Sequence, residues 1–140
     1  MGKRVIVVGG GIAGMQTALK LSAGGVSALL LERDADLGGK LTGWHKLFPS
    51  FTPAHEVLDE LRRRLAASDV EVRTRCEVAE VARDGVMLST GERLEADAVV
   101  VATGFTLFDA RIKEEYGYGI YDNVYTTVDI ERMLNEGRVA

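Results

Sequence analysis

Hydrophobic positions along this chain recur in two rhythms, and the rhythm changes where glycines stand. The first is continuous: Val5-Ile6-Val7-Val8 has no polar position and reads as a strand buried on both faces. Ile12, Met15, Ala18, Leu19 and Ser22 then fall near helical spacing, and Gly24-Gly25 ends the pattern. Ala28 to Leu31 is a second apolar run, so the two strands flank a helix and should lie parallel, joined by a right-handed crossover. Ala54, Val57, Leu58, Leu61 and Leu65 mark one face of an amphipathic helix, with Thr52 and Pro53 as its N-cap and first residue and its end near Ser68. Val70 to Thr74 alternates as a third strand. Glu77 to Val81 opens a run with turns at Asp84-Gly85 and Thr90-Gly91, which predicts three short antiparallel strands. Ala98-Val99-Val100-Val101 is again a strand expected to be buried on both faces, and a short helix is expected over Val128 to Asn135. The whole is an α/β pattern: a central parallel sheet with helices and a small three-stranded antiparallel meander.

Composition narrows the partners. The 140 residues fit one domain, 1–140, of a size that can bury a real core. Net charge is -4 and charged residues make up 27%, so no basic surface marks nucleic acid as a partner. Arg62-Arg63-Arg64 lies on the predicted second helix, where Asp59 and Glu60 stand four residues before Arg63 and Arg64 and can pair with them. The single cysteine, Cys76, excludes an internal disulfide and fits a reducing, cytoplasmic compartment. It also leaves no cysteine set for a metal or iron–sulfur site, and His45 and His55 are too far from each other and from Cys76 to make a zinc pattern. The run after Lys3-Arg4 breaks into glycines after four residues, unlike a signal peptide, and no stretch is long enough to span a membrane.

The candidate chemistry sits where the first strand meets the first helix. Gly9-x-Gly11-x-x-Gly14 stands there, with Gly9 for the tight turn, Gly11 for close approach of a pyrophosphate, and Gly14 for close packing of helix on strand. The phosphates would rest on unpaired amides at the positive end of the helix, which opens with Ile12 and Ala13. Glu32 closes the second strand, where its two oxygens can accept bonds from both hydroxyls of an adenosine ribose. Arg33 begins a loop that leads to Gly38-Gly39-Lys40, and its paired glycines permit close backbone approach beside the ligand's phosphates or the sugar of its second half. Leu41 to Phe51, with Trp44, His45, Phe48 and Pro49, is either a loop facing the ligand or a packed connection. No general base, nucleophile or triad stands out.

The order of these features resembles the FAD domain of two-dinucleotide-domain flavoproteins over residues 4–104. It is similar, more closely, to the A subunit of heterodisulfide reductases. The residues that carry this are Leu37-Gly38-Gly39-Lys40, Lys46-Leu47-Phe48-Pro49, Ala102-Thr103-Gly104-Phe105, Glu115-Tyr116-Gly117-Tyr118-Gly119 and Glu131-Arg132-Met133-Leu134. The resemblance implies a Rossmann-like FAD-binding fold with FAD as cofactor. It implies that Ala102, Thr103 and Gly104 return the chain to the phosphates and that Val78 contacts adenine through its backbone. By the same resemblance the protein is an electron-transfer module or small oxidoreductase; Lys40 and His45 are the charged candidates to tune a flavin, and the sequence places neither beside the ring. Where that family carries cluster-binding cysteines, this chain has Ser50-Phe51-Thr52-Pro53. Residues 105–140 are too few for a second nucleotide-binding domain, so slow reduction by NADH or NADPH and an open flavin face are expected. That face implies a redox partner protein, iron–sulfur in type, or a homodimer. The alternatives are an NAD(H)-binding oxidoreductase fragment and a dinucleotide-binding scaffold without turnover.

Overall fold

The computed structural model describes residues 2–138. The chain runs β1 (Arg4–Val8), α1 (Ile12–Ala23), β2 (Ser27–Leu31), a 3₁₀ turn (Gly39–Gly43), then the short hairpin β3 (Lys46–Leu47) and β4 (Thr52–Pro53). It continues through α2 (Ala54–Ala66), β5 (Glu71–Arg73), β6 (Val78–Ala82), β7 (Gly85–Leu88), β8 (Arg93–Glu95) and β9 (Ala98–Val101). Two 3₁₀ turns (Ala110–Ile112 and Glu114–Tyr116) and α3 (Thr127–Asn135) follow.

Strands β5, β2, β1 and β9, in that order, form a four-stranded sheet in which every pair is parallel. Successive side chains in a strand point to opposite faces, and this alternation assigns the core. Val7, Ala28 and Leu30 point to one face and pack with Met15, Ala18 and Leu19 of α1 and Leu58, Leu61 and Leu65 of α2. Ile6, Val8, Leu29 and Leu31 point to the other and pack on Val86 and Leu88 of β7. The meander β6-β7-β8 therefore covers the face that the helices leave free. Burying one such side chain stabilises the fold by roughly 1.5–3 kcal/mol. With both faces covered, no polar residue stands between Val5 and Val8 of β1, nor between Ala28 and Leu31, their partners in register on β2.

Three expectations need correction. Ala98–Val101 is not buried on both faces: β9 pairs only with β1 among the described residues, and Val101 is 60% exposed. An apolar run identifies a strand but not whether a neighbour covers it. Thr52 and Pro53 do not cap α2 as N-cap and first residue. Thr52 pairs with Leu47 and shares a hydrogen bond with the Ser50 hydroxyl at 2.7 Å, Pro53 takes the N-cap position, and the Ala54 amide donates to the His45 carbonyl at 3.0 Å. The hairpin runs straight into the helix and satisfies its first amide with backbone. On α2 itself, Arg63 pairs with Glu60 rather than Asp59, three residues away instead of four. The Arg62 guanidinium donates instead to the Leu37 carbonyl, tying the helix to the loop after β2.

Candidate cofactor site

The carboxyl ends of the parallel strands place the site. With order β5-β2-β1-β9, the later strands β2 and β9 lie on either side of β1, and open parallel sheets take ligands at the carboxyl ends of strands at such a point, here above the Gly9–Gly14 turn. Along that edge stand, in sequence of space, the segment after β5, Glu32 after β2, the glycine turn after β1 and Ala102-Thr103 after β9.

Each glycine of the turn has a different physical reason to be there. A Cβ on Gly14 would lie 1.8 Å from the Gly9 carbonyl oxygen, so only glycine lets α1 start against β1. Gly9, at φ 109°, would meet the Ala102 carbonyl oxygen at 2.4 Å, so it admits the exit of β9. A Cβ on Gly11 meets nothing within 4 Å. Here space, and not close packing, is what the missing side chain leaves. Gly11 is the N-cap of α1, no side chain caps the helix, and its first turn holds no acidic residue. Ile12 is 41% exposed and Ala13 is exposed beside it. Unpaired amides at the positive helix end, an open cradle and no competing carboxylate fit a pyrophosphate.

Glu32 is the one buried charged residue among the described positions, at 7% exposure. Its Oε2 accepts from the Gly10 amide at 2.6 Å and its Oε1 from the Asp34 amide at 2.9 Å. The carboxylate thus joins the glycine turn to the loop after β2 before any ligand binds. Each oxygen retains acceptor capacity for a ribose hydroxyl. Glu32 also continues the sheet: its amide donates to the Arg73 carbonyl at 2.9 Å and its carbonyl accepts from the Cys76 amide at 2.9 Å. That pairing carries the chain past Glu32 toward Val78, which is half-buried at the start of β6. Arg73 in turn grips Glu92 with two bonds, at 3.0 and 2.8 Å, holding β5 to the turn between β7 and β8. This contact holds the Glu92 carboxyl below the usual glutamate range and raises Arg73 above the usual arginine value. Arg33 is exposed, with a loose 3.9 Å contact to Asp34.

The Gly38-Gly39 loop forms the opposite wall. Gly38 bridges to Gly11, its amide donating to the Gly10 carbonyl at 2.9 Å, and it sits at φ 135°. A Cβ on Gly39 would come 3.3 Å from the Gly11 Cα. Lys40 then places its Nζ 4.9 Å from the centre of the Phe105 ring. His45 is turned elsewhere: its amide donates to Glu131 at 2.6 Å and its Nδ1 lies 3.1 Å from the Asn135 Oδ1, so it docks α3. Asn135 also donates to the Gly43 carbonyl at 3.0 Å. An open cleft of about 510 Å³, lined by Asp34, Ala35, Asp36, Gly39, Thr42 and Arg62, lies beside this wall. Its two aspartates make it a poor place for phosphate, and none of Gly9 to Gly14 lines it.

Gly9, Gly11, Ile12, Ala13, Gly14, Glu32, Gly38, Gly39 and Ala102 are therefore gathered at the carboxyl ends of β1, β2 and β9; Lys40 and Thr103-Gly104 follow directly in the chain, and Val78 opens β6 two residues after the Cys76 amide that bonds to Glu32. Sequence reasoning missed Gly10. It is buried, it donates to Glu32, and a Cβ there would meet the Leu37 side chain at 2.5 Å and Glu32 Oε2 at 2.8 Å. The signal was present as a third consecutive glycine that the motif itself does not require. Asp34 was missed as well, because it acts through its backbone amide.

A family model described as an NAD(P)-binding Rossmann-like domain matches residues 7–60, and one described as flavin containing amine oxidoreductase matches residues 48–113. The chain is 54% identical over 43 residues to the iron-sulfur A subunit of the CoB–CoM heterodisulfide reductase of Methanocaldococcus jannaschii. It is 58% identical over 43 residues to the first of the corresponding A subunits of Methanopyrus kandleri. Each match takes in 31% of this chain and 6% of the longer protein. Among solved structures, 2-methyl-3-hydroxypyridine-5-carboxylic acid oxygenase aligns with a TM-score of 0.62 at 22% identity, over 74% of this chain and 40% of the other. A 2-naphthoyl-CoA reductase complex aligns with a TM-score of 0.55 at 24% identity, over 88% and 17%. The resemblance to the heterodisulfide reductase A subunit read from the sequence holds over that third of the chain, and the fold is Rossmann-like with a parallel sheet and an antiparallel meander.

Proposed function

We propose that residues 1–140 act as a single FAD-binding domain of the heterodisulfide reductase A type, an electron-transfer module that works with a redox partner. The observation that carries the reading is the open cradle at Gly11, bounded by Glu32 on one side and the Gly38-Gly39 wall on the other. In this assignment the amides of Gly11, Ile12, Ala13 and Gly14 hold the pyrophosphate. Glu32, with Arg33 and the Val78 backbone, holds the adenosine. Gly38, Gly39, Lys40, Ala102, Thr103 and Gly104 line the second half of the ligand.

Bound FAD would supply one- and two-electron chemistry, while the chain binds, orients and sets the local field. Lys40 follows the Gly38-Gly39 wall and is the residue assigned to that field; His45, engaged by α3, is not. The relatives are named as subunits of larger reductases, which supports a partner protein, and an iron–sulfur partner is our reading for this chain. Phe108, Ile112, Tyr116, Ile120 and Tyr121 are each more than 60% exposed beyond β9 and supply an apolar surface for that partner or for a second copy. No helix among the described residues is long and apolar enough to cross a membrane, and with Cys76 unpaired the reading places the protein in the cytoplasm.

The absorbance spectrum of the purified protein, followed by acid release and chromatography of the ligand, tests the assignment. A flavin spectrum with FAD released in about one equivalent per chain is expected. A colourless protein that takes up NAD and not FAD would establish the nicotinamide reading, which the first family model's description and the neutrality of Glu32 toward either adenosine leave as the rival.

A further inference from the structure

Phe105 has no part in the site assigned so far, and its position is unusual for an exposed aromatic. It follows the Ala102-Thr103-Gly104 exit of β9, is 59% exposed, and lies under the Lys40 ammonium at 4.9 Å. Lys40 comes from the Gly38-Gly39 wall, which touches Gly11, and Phe105 from the segment that touches Gly9. The pair therefore joins the Gly38-Gly39 loop to the segment after β9, the two segments that touch Gly11 and Gly9. A cation over a ring face fixes the ring's position while leaving the other face free for a flat partner.

Strand order says which part of a dinucleotide would reach that ring. Glu32 ends β2, on one side of β1, and Phe105 follows β9, on the other. A ligand with its adenosine at Glu32 and its pyrophosphate at Gly11 continues toward β9. Gly104, at φ 75° and with no atom within 4 Å of where a Cβ would stand, turns the chain just before Phe105 and keeps that approach open.

We infer that Phe105 is a further binding residue, a stacking platform for the planar ring of the ligand's second half, with Lys40 as the residue that positions it. The inference rests on the FAD reading, and its test separates the two. Apoprotein of the full chain is titrated calorimetrically with FAD and with ADP, which carries the adenosine and pyrophosphate but no second ring. Wild type binds both. Phe105→Ala weakens FAD binding by about fivefold to a hundredfold, the range that loss of an aromatic stacking face gives, and leaves ADP within about twofold. Phe105→Trp keeps the affinity and lowers the fluorescence of bound flavin below the wild-type value, since an indole in contact quenches flavin emission. Lys40→Met weakens FAD binding in the same direction and leaves ADP within about twofold, because it removes the support of the ring and not a contact to the adenosine or pyrophosphate.

Because Phe105 is exposed, its removal leaves the fold intact, which circular dichroism checks. Unchanged FAD affinity in Phe105→Ala, or equal loss of FAD and ADP, overturns the inference while the FAD reading stands. Wild-type protein that binds ADP but not FAD overturns the FAD reading, and the inference with it.

Discussion

Replacing Glu32 with glutamine keeps shape and volume and changes only charge and one acceptor. In the folded chain both carboxylate oxygens are occupied by backbone donors, Gly10 at 2.6 Å and Asp34 at 2.9 Å, at a residue 7% exposed. Whichever way the amide of Glu32→Gln is turned, its NH₂ faces one of those N–H groups. One charge-assisted bond weakens to a neutral one and one buried donor is left without a partner. The first loss is about 1 kcal/mol and the second about 1–3 kcal/mol, so apoprotein stability should fall by about 3 kcal/mol. For a chain of this length that lowers the melting temperature by about 10 °C. Thermal unfolding followed by circular dichroism, with no ligand present, reads it directly. Glu32→Ala should lose a similar amount of stability and weaken FAD binding at least about tenfold, since the ribose loses its acceptor as well. If the glutamine variant melts within about 2 °C of wild type while FAD binding falls, then Glu32 serves the ribose alone and the argument that it braces the empty site is wrong.

Three further outcomes follow from particular contacts. Gly11→Ala should fold with an unchanged melting temperature yet lose FAD, because its Cβ enters open space, whereas Gly14→Ala, with its Cβ 1.8 Å from a carbonyl oxygen, should lose several kcal/mol or fail to fold; equal behaviour of the two in a melting and binding comparison would refute the assignment. Thr126 caps α3 reciprocally with Asp129, at 3.2 and 2.9 Å, and Thr126→Ala should cost about 1 kcal/mol, read as roughly fivefold faster hydrogen exchange at the amides of α3 and no change in β1. Glu92 is held below the usual glutamate range by Arg73, so the stability this pair adds is present above about pH 4.3 and disappears as pH falls through the lowered value; wild type and Glu92→Gln should differ in melting temperature at pH 7 and converge in acid, and a gap that widens toward acid would reverse the sign of the argument.

Most of the fold was legible because its strongest signals are local. Four apolar residues before a glycine turn identify β1, the spacing of Leu58, Leu61 and Leu65 identifies α2, and the Asp84-Gly85 and Thr90-Gly91 turns mark the meander. What a run of residues does not encode is its neighbours. Ala98–Val101 is as apolar as β1 but lies at an edge, and Thr52-Pro53 has the letters of a cap but serves a hairpin. The site divided in the same way. Gly9, Gly11, Gly14 and Glu32 stand together because the turn and the strand end demand those residue types, which the sequence displays. Gly10 showed only as an extra glycine in the run, Asp34 contributes a backbone amide, for which side-chain identity gives no cue, and Phe105 meets Lys40 only through the tertiary fold.

The claim that the site takes FAD through its adenosine and pyrophosphate is tested most directly by competition. Apoprotein is titrated with FAD while ADP, FMN and NAD are added in turn. The account predicts one FAD per chain, displaced by ADP, hardly affected by FMN, which lacks the adenosine that Glu32 would hold, and bound more tightly than NAD. Displacement of FAD by FMN but not by ADP would contradict it.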